Sequence, residues 1–466
     1  MRLAVIGGLA AGPAAAAEAA RQNPAADVVL FEQTAHVSVG ACEIPYYVAD
    51  RLGGRRDLIA LTPDELARTR GLTVHVRHRV TALDAARGRL TVEALDHGAT
   101  REERFDRFIL ATGARPRRLG VEGEDAAGVF AVRGYDDAVA VRRWVEVEPV
   151  RHAVVVGGGY VGAEMAEAFR DRGLQVTVLE PQGRLLAGAL DEALGQPLAA
   201  RARARGVRVR PERPTRLLTA PDGRVRAVVT DRGERIGCQV VLVAIGVEPN
   251  VDLARGAGVR IGDSGAVATD AQMRTSARAV WACGDCAEVT RVVDGRRLHW
   301  PLAPATRQTA RVAARNAARD ARHGGAAPPA TFQGVTGAVG VRVFGIEAAA
   351  VGLREHEAAE AGFDALAVQV QHVSRTRVYP GAKPLWVRLV VEAGTGRLLG
   401  GQLVGEEGAA LRADVLVPLV RAGISARVLA EDIDLIYNPP LAPATDPLRV
   451  AAAAAMRACG QRRPRA

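Results

Sequence analysis

Two glycine turns, at residues 7–12 and 157–162, restrict what this chain can fold into more than any other feature. The first, Gly7-Gly8-Leu9-Ala10-Ala11-Gly12, interrupts the apolar run at residues 2–6 and opens into a small-residue helical stretch that reaches Arg21. The second, Gly157-Gly158-Gly159-Tyr160-Val161-Gly162, follows Ala153-Val154-Val155-Val156 and also leads into a helical pattern. After each helix a further apolar run ends in an acid, Asp27 to Glu32 in one case and Val176 to Glu180 in the other. Strand, glycine turn, helix, strand and acid is the layout of a parallel βαβ unit that grips a dinucleotide. Glycine lets the backbone approach a pyrophosphate, the helix start offers it unpaired N–H groups, and the acid holds ribose hydroxyls. The first turn has Leu9 at the middle glycine position and the second is complete, so the chain reads as α/β with two dinucleotide sites. Glu180 favours NADH over NADPH because it repels a 2'-phosphate, while Arg184 nearby keeps both in play.

Of the 466 residues, 48% are hydrophobic and 24% charged, enough for several cores and two or three domains. No stretch approaches the roughly 18–20 apolar residues of a membrane span. Arg2 and the alanine tract after it mimic a secretory signal, but the strand and glycine turn give them a better use. Five cysteines, at 42, 238, 283, 286 and 459, are too few for a disulfide framework and fit a reducing, cytoplasmic compartment. Cys283 and Cys286 have the spacing of a redox or metal pair, yet the first lies in an apolar run and reads as packing, so no metal is expected. The net charge of +10 comes from arginine, Lys383 being the only lysine, and has no nucleic-acid pattern; it would attract anionic cofactors.

Further runs fall where a flavoprotein would need them. Phe108 to Ala114 carries Thr112-Gly113 at its turn, Val240 to Asn250 repeats that design, and Ala279 to Asp285 ends in an acid. With Ser38-Val39-Gly40-Ala41-Cys42-Glu43-Ile44-Pro45-Tyr46-Tyr47, Arg377-Val378-Tyr379-Pro380-Gly381-Ala382, Tyr437-Asn438-Pro439-Pro440 and Asp446-Pro447, the chain resembles the pyridine nucleotide-disulfide oxidoreductases over residues 1 to about 450. The likeness is greatest to their single-cysteine group: coenzyme A-disulfide reductases, coenzyme A-dependent persulfide and polysulfide reductases, and NADH oxidases and peroxidases. The resemblance implies FAD contacts from Gly7, Gly8, Ala11, Gly12, Glu32, Thr112, Gly113, Asp285 and Ala303. It implies nicotinamide dinucleotide contacts from Gly157, Gly159, Tyr160, Gly162, Glu164 and Glu180, with Tyr160 moving aside to admit the nicotinamide.

No second cysteine follows Cys42 within its segment, so its redox partner must come from outside the chain, as a mixed disulfide, a persulfide or a sulfenic acid. The resemblance places Cys42 against the flavin at a helix start, where the dipole favours thiolate. It also implies catalytic roles for Tyr437 and Tyr379, reaching the thiol from a partner subunit, and coenzyme A contacts from Arg21, Ser38, Arg70 and Arg307. Ala10 stands where the oxidases and peroxidases carry histidine, which favours thiol chemistry. No paired histidine and glutamate follows His372. Glu43 replaces the usual glycine beside the thiol, and Val378 a common tyrosine; a carboxylate at 43 should raise the Cys42 pKa.

The expected architecture is a discontinuous FAD domain, 1–118 and 247–325, an NAD domain, 119–246, a dimerisation domain with a mixed sheet, 326–455, and a basic tail, 456–466. The expected activity is FAD-dependent reduction by NAD(P)H of a disulfide, persulfide or polysulfide, coenzyme A disulfide or a related thiol, in a homodimer with shared sites. Two readings stay open beside it: an oxidase or peroxidase working through a Cys42 sulfenic acid, and a redox sensor with incidental turnover.

Overall fold

A computed structural model describes residues 1–319 and 328–461. The expected boundary at 325–326 and the arginines at 462, 463 and 465 lie outside these residues.

Each glycine turn sits at the centre of a five-stranded sheet that is parallel throughout. The first sheet runs in the order Val280–Ala282, Arg107–Leu110, Arg2–Ile6, Asp27–Phe31, Thr73–His75. The second repeats that plan with Val207–Arg210, Gln175–Leu179, His152–Val156, Val240–Val243 and Val129–Phe130. Leu3, Ala4, Val5, Val154 and Val155 are fully buried. Strands covered on both faces need continuous apolar runs, and this is why their sequences do not alternate. The first sheet borrows its edge strand from beyond the second, so the chain leaves the first unit and returns. The two crossing segments lie side by side as an antiparallel pair, Ala114–Pro116 against Val247–Pro249.

The third sheet is antiparallel throughout, which corrects the expectation of a mixed one. Its order is Val339–Val343, Ile346–Gly352, Leu398–Gly405, Pro384–Glu392, Ala365–Val373. Hairpins such as Phe344-Gly345 join successive strands, and connections that short permit only antiparallel pairing. The helices Ala409–Arg421 and Pro447–Gln461 cover it. Residues 456–461 belong to the second of these helices, so they are not the tail expected there; the alanines at 451, 452 and 455 bury one face of it and carry it on.

Candidate active site

The two glycine turns have the same local geometry. Gly7 and Gly157 take φ of +107° and +102°, where a side chain would be strained. A Cβ at Gly12 would sit 1.7 Å from the Gly7 carbonyl oxygen, and one at Gly162 1.9 Å from that of Gly157, so helix and strand can pack only around glycine. The Gly8 N–H donates to Glu32 Oε2 at 2.5 Å and the Gly158 N–H to Glu180 Oε2 at 2.8 Å. Each acid thereby closes the turn of its own unit. Arg184 donates to the carbonyls of Leu190 and Ala187.

The helices that follow the two turns, Ala11–Gln22 and Tyr160–Asp171, start without a side-chain cap or an acid in the first turn, and so does Ala303–Ala318. Helix Pro63–Arg70, away from the turns, has a complete capping box from Thr62 and Glu65. Uncapped starts leave N–H donors and the positive dipole end free for an anion, so the residues present fit dinucleotide phosphates at both turns.

Several expected contacts converge on the crossing segments. Thr112 Oγ1 donates to the Asn250 carbonyl at 2.7 Å, the Asn250 side chain returns a bond to Thr112 O at 2.8 Å, and Gly113 O accepts from Asn250 N at 2.9 Å. Asp285 lies in a 3₁₀ turn, Gly284–Cys286, directly after its strand. Its carboxylate accepts from Thr306 Oγ1 at 2.6 Å and pairs with Arg133. Arg133 carried no signal in an arginine-rich chain, yet its Nε is buried without a partner.

Cys42 is exposed, at the middle of a three-residue 3₁₀ turn, Ala41–Glu43, and the α-helix proper begins only at Ile44. With no long helix behind it, the dipole effect expected there gives way. Burial by its surroundings pushes the thiol above its usual value, the charges of Glu43 and Glu164 add to this, and Arg133 opposes it. The short helix Ile44–Val48 that anchors the turn buries Ile44, Tyr47 and Val48 in the core of the second sheet, with Val155, Ala163 and Phe344. The sulfur is therefore carried by the first unit and held by the second. Tyr46, given no role from sequence, donates to Glu164 Oε1 at 3.3 Å. None of the free cysteines is disulfide-bonded, and Cys238, Cys283 and Cys286 are buried. The Cys286 thiol donates to the carbonyls of Leu110 and Cys283.

Ser38 holds a φ of 52°, in the left-handed region, with its N–H on the Gly8 carbonyl at 2.9 Å, which places it against the first turn. Arg21 pairs with Glu18, Arg70 is exposed at the end of helix Pro63–Arg70, and Arg307 is exposed in the second turn of helix Ala303–Ala318. Tyr379 and Tyr437 lie on adjoining loops, joined by Thr376 N to Pro439 O at 3.2 Å, and are 39% and 53% exposed.

Residues 1–317 match the model of the pyridine nucleotide-disulphide oxidoreductases, and residues 339–448 match the dimerisation domain of that family. The chain belongs to this family.

Over 451 residues this oxidoreductase is 36% identical to the NAD(P)H coenzyme A polysulfide/persulfide reductase of Pyrococcus horikoshii, covering 97% of each chain. It is 29% identical to an NADH oxidase of Methanocaldococcus jannaschii over 457 residues, 98% of this chain and 99% of that one. Among solved structures, the NAD-dependent persulfide reductase from A. fulgidus superposes with a TM-score of 0.93 at 32% identity, covering 98% of this chain and 83% of that one. Among the described residues, no helix of this oxidoreductase is long and apolar enough to cross a membrane. No group of three or more histidine, cysteine or acidic side chains among them could hold a metal.

Proposed function

We propose that this chain is an FAD-dependent NADH oxidoreductase that reduces a disulfide, persulfide or polysulfide sulfur, coenzyme A disulfide or a related small thiol, through Cys42. One observation carries this reading: an exposed thiol, unpaired in its own chain, held between the two dinucleotide units. FAD would lie along Gly7, Gly8, Ala11, Gly12 and Glu32, with Thr112, Gly113, Asp285 and Ala303 around it; when bound, it passes the electron pair of NADH on to sulfur. NADH would lie on Gly157, Gly159, Tyr160, Gly162, Glu164 and Glu180. Arg184 donates to backbone carbonyls and Glu180 would repel a 2'-phosphate, and together these support NADH.

The Cys42 thiolate attacks the acceptor sulfur, forms a mixed disulfide and expels a thiolate; NADH then supplies the two electrons that reopen it. Tyr437 and Tyr379 of a partner subunit would donate hydrogen bonds to the departing sulfur, which makes a homodimer the working unit. Arg21, Ser38, Arg70 and Arg307 would hold phosphate and pantetheine of coenzyme A. The limits given above for the FAD, NAD and dimerisation domains, the last carried on to residue 461 by its final helix, and a cytoplasmic location complete the reading. Ala10, in place of a histidine beside the thiol, argues against oxygen or peroxide as the acceptor. The test is Cys42→Ser: NADH should still reduce the bound FAD while disulfide turnover falls more than about 1000-fold. Turnover at the normal rate would refute the thiol relay.

A further inference from the structure

Leu186 lies in the left-handed region, with a φ of 55°, which a residue bearing a Cβ adopts only where its surroundings impose it. Its N–H donates to the Gly158 carbonyl at 2.7 Å, so this strained residue is fastened to the second glycine turn, at the glycine whose own N–H holds Glu180. Residues 183–190 belong to the connection from strand Gln175–Leu179 to helix Glu192–Ala204, and Leu185, Leu186, Ala187 and Leu190 in it are buried. The loop closes on itself: the Ala189 and Leu190 amides both donate to the Leu186 carbonyl at 2.9 Å, and Arg184 donates to the Leu190 carbonyl at 2.6 Å.

Asp191 ends this loop and stands at the N-cap of helix Glu192–Ala204, where an aspartate ordinarily accepts from an amide of its own first turn. Here its side chain makes no such bond. Its Oδ2 instead accepts from Gln402 Nε2 and from Arg388 Nε, each at 2.9 Å, and its N–H donates to Gln402 Oε1 at 2.7 Å. Arg388 and Gln402 face each other in register on neighbouring strands of the third sheet, Pro384–Glu392 and Leu398–Gly405, within the dimerisation domain. Gln402 is 1% exposed, and Arg388 is held from its other side by Glu355 at 2.5 Å. Arg354, of the same domain, donates to the Ala187 carbonyl at 3.1 Å. A buried amide must find partners for both its oxygen and its nitrogen, and those of Gln402 go to a single residue of the nucleotide unit.

Resting on the reading that NADH lies on the second glycine turn, we propose that Gln402 and Arg388 are positioning residues for NADH: through Asp191 they hold the loop 183–190 in the shape that keeps Leu186 on the Gly158 carbonyl. The helix gives up its side-chain cap to this clasp, and the clasp offsets the strain at Leu186. Once it is cut, Leu186 relaxes to ordinary backbone in part of the molecules, and only the remainder presents the turn in its present form. The apparent dissociation constant then rises by the inverse of that fraction, while the complex once formed is unchanged. The loss therefore falls on binding and not on the limiting rate of hydride transfer. The dimerisation domain thereby takes part in nucleotide binding by its own chain.

The test follows anaerobic reduction of the bound FAD by NADH in stopped flow, with NADH varied so that its Kd and the limiting rate separate. Asp191→Ser cuts the carboxylate bonds to Gln402 and Arg388 yet supplies the helix cap that Asp191 withholds. Its thermal unfolding should stay close to wild type while the Kd for NADH rises about 5- to 50-fold, at a limiting rate within about twofold. Gln402→Leu should act likewise, and Asp191→Ser decides alone if leucine in that buried place prevents folding. Glu406→Gln is the control: Glu406 pairs with Arg201 at 2.5 Å, joining the last turn of the same helix to the same domain, and this variant should keep the wild-type Kd. A wild-type Kd in Asp191→Ser, or a Kd in Glu406→Gln raised as far as that of Asp191→Ser, overturns the proposal and leaves the NADH site standing. Glu180→Ala tests the site itself and should weaken NADH; an unchanged Kd there would overturn the reading that NADH lies on this turn, and the proposal with it.

Discussion

Arg133 Nη2 lies 2.5 Å from Asp285 Oδ2, joining the segment that follows the edge strand Val129–Phe130 of the second sheet to the turn after the edge strand Val280–Ala282 of the first. Both side chains are mostly buried, at 27% and 11% exposure, and Arg133 also lowers the Cys42 thiol. Arg133→Gln should leave Asp285 charged with Thr306 alone and cost about 2–4 kcal/mol of stability. It should also raise the thiol further, since the one cationic influence on it is gone. Alkylation of Cys42 by iodoacetamide at pH 8, followed by mass spectrometry, should slow severalfold; an unchanged or faster rate would show that the arginine does not act on the sulfur.

Gly12 and Gly54 separate close packing from glycine as such. A methyl group at Gly12 overlaps the Gly7 carbonyl, backbone that cannot move without opening the turn, whereas a Cβ at Gly54 meets nothing within 4 Å and its φ of 167° is ordinary extended backbone. Gly12→Ala should cost at least about 3 kcal/mol and strip the flavin, while Gly54→Ala should stay within about 0.5 kcal/mol. Thermal unfolding together with flavin absorbance reads both.

The parallel sheets were legible because buried strands are apolar runs with hard stops. Arg2–Ile6 ends at Gly7 and Asp27–Phe31 at Glu32, and both strands lie where the sequence puts them. The small antiparallel sheets at residues 78–104 and 214–237 gave no such signal, since strands like Ala99–Arg104 are mostly arginine and glutamate and largely solvated. Cys42 could be found from its motif, but its surroundings could not. Tyr46 reaches Glu164 across 118 positions and Arg133 reaches Asp285 across 152, separations that no local pattern encodes.

Tyr437 shares its surface with Val378, Ile436 and Leu441, which are 90%, 82% and 66% exposed. So much apolar area on adjoining loops fits an interface with a second copy, and the match to a dimerisation domain ends at residue 448, beyond these loops. Tyr437→Phe should lower disulfide turnover about 10- to 100-fold and leave FAD reduction by NADH unchanged. Mixed dimers decide whether the tyrosine serves its own subunit or the other. A Cys42→Ser chain paired with a Tyr437→Phe chain should regain about half of wild-type turnover, because one site then combines an intact thiol with an intact tyrosine. If mixed dimers are no more active than the parents, the tyrosine acts within its own chain.

Glu357 and Asp294 share Arg291, whose side chain is 8% exposed. Burial alone would raise Glu357, but bonds from the Arg354 amide and guanidinium, with Arg291, hold it below its ordinary 4.5; Asp294 is held below 3.8 by Arg291 against its own burial. Depressed carboxylates contribute stability that is fully present above their unfolded values and lost as pH falls through the folded ones. The network ties the strand region ending at Thr290 to the helix Glu355–Glu360 beside the third sheet, so its loss should loosen that sheet first. Glu357→Gln should cost about 1–3 kcal/mol at pH 7, because Arg291 keeps its charge while losing one of its two carboxylates. As pH falls through the depressed folded value of Glu357, below the ordinary 4.5, the wild type should approach the variant, since its own glutamate then takes up a proton. Thermal unfolding at pH 7 and pH 3.5 measures the difference, and a gap that stays constant between the two would show that the glutamate's charge contributes nothing.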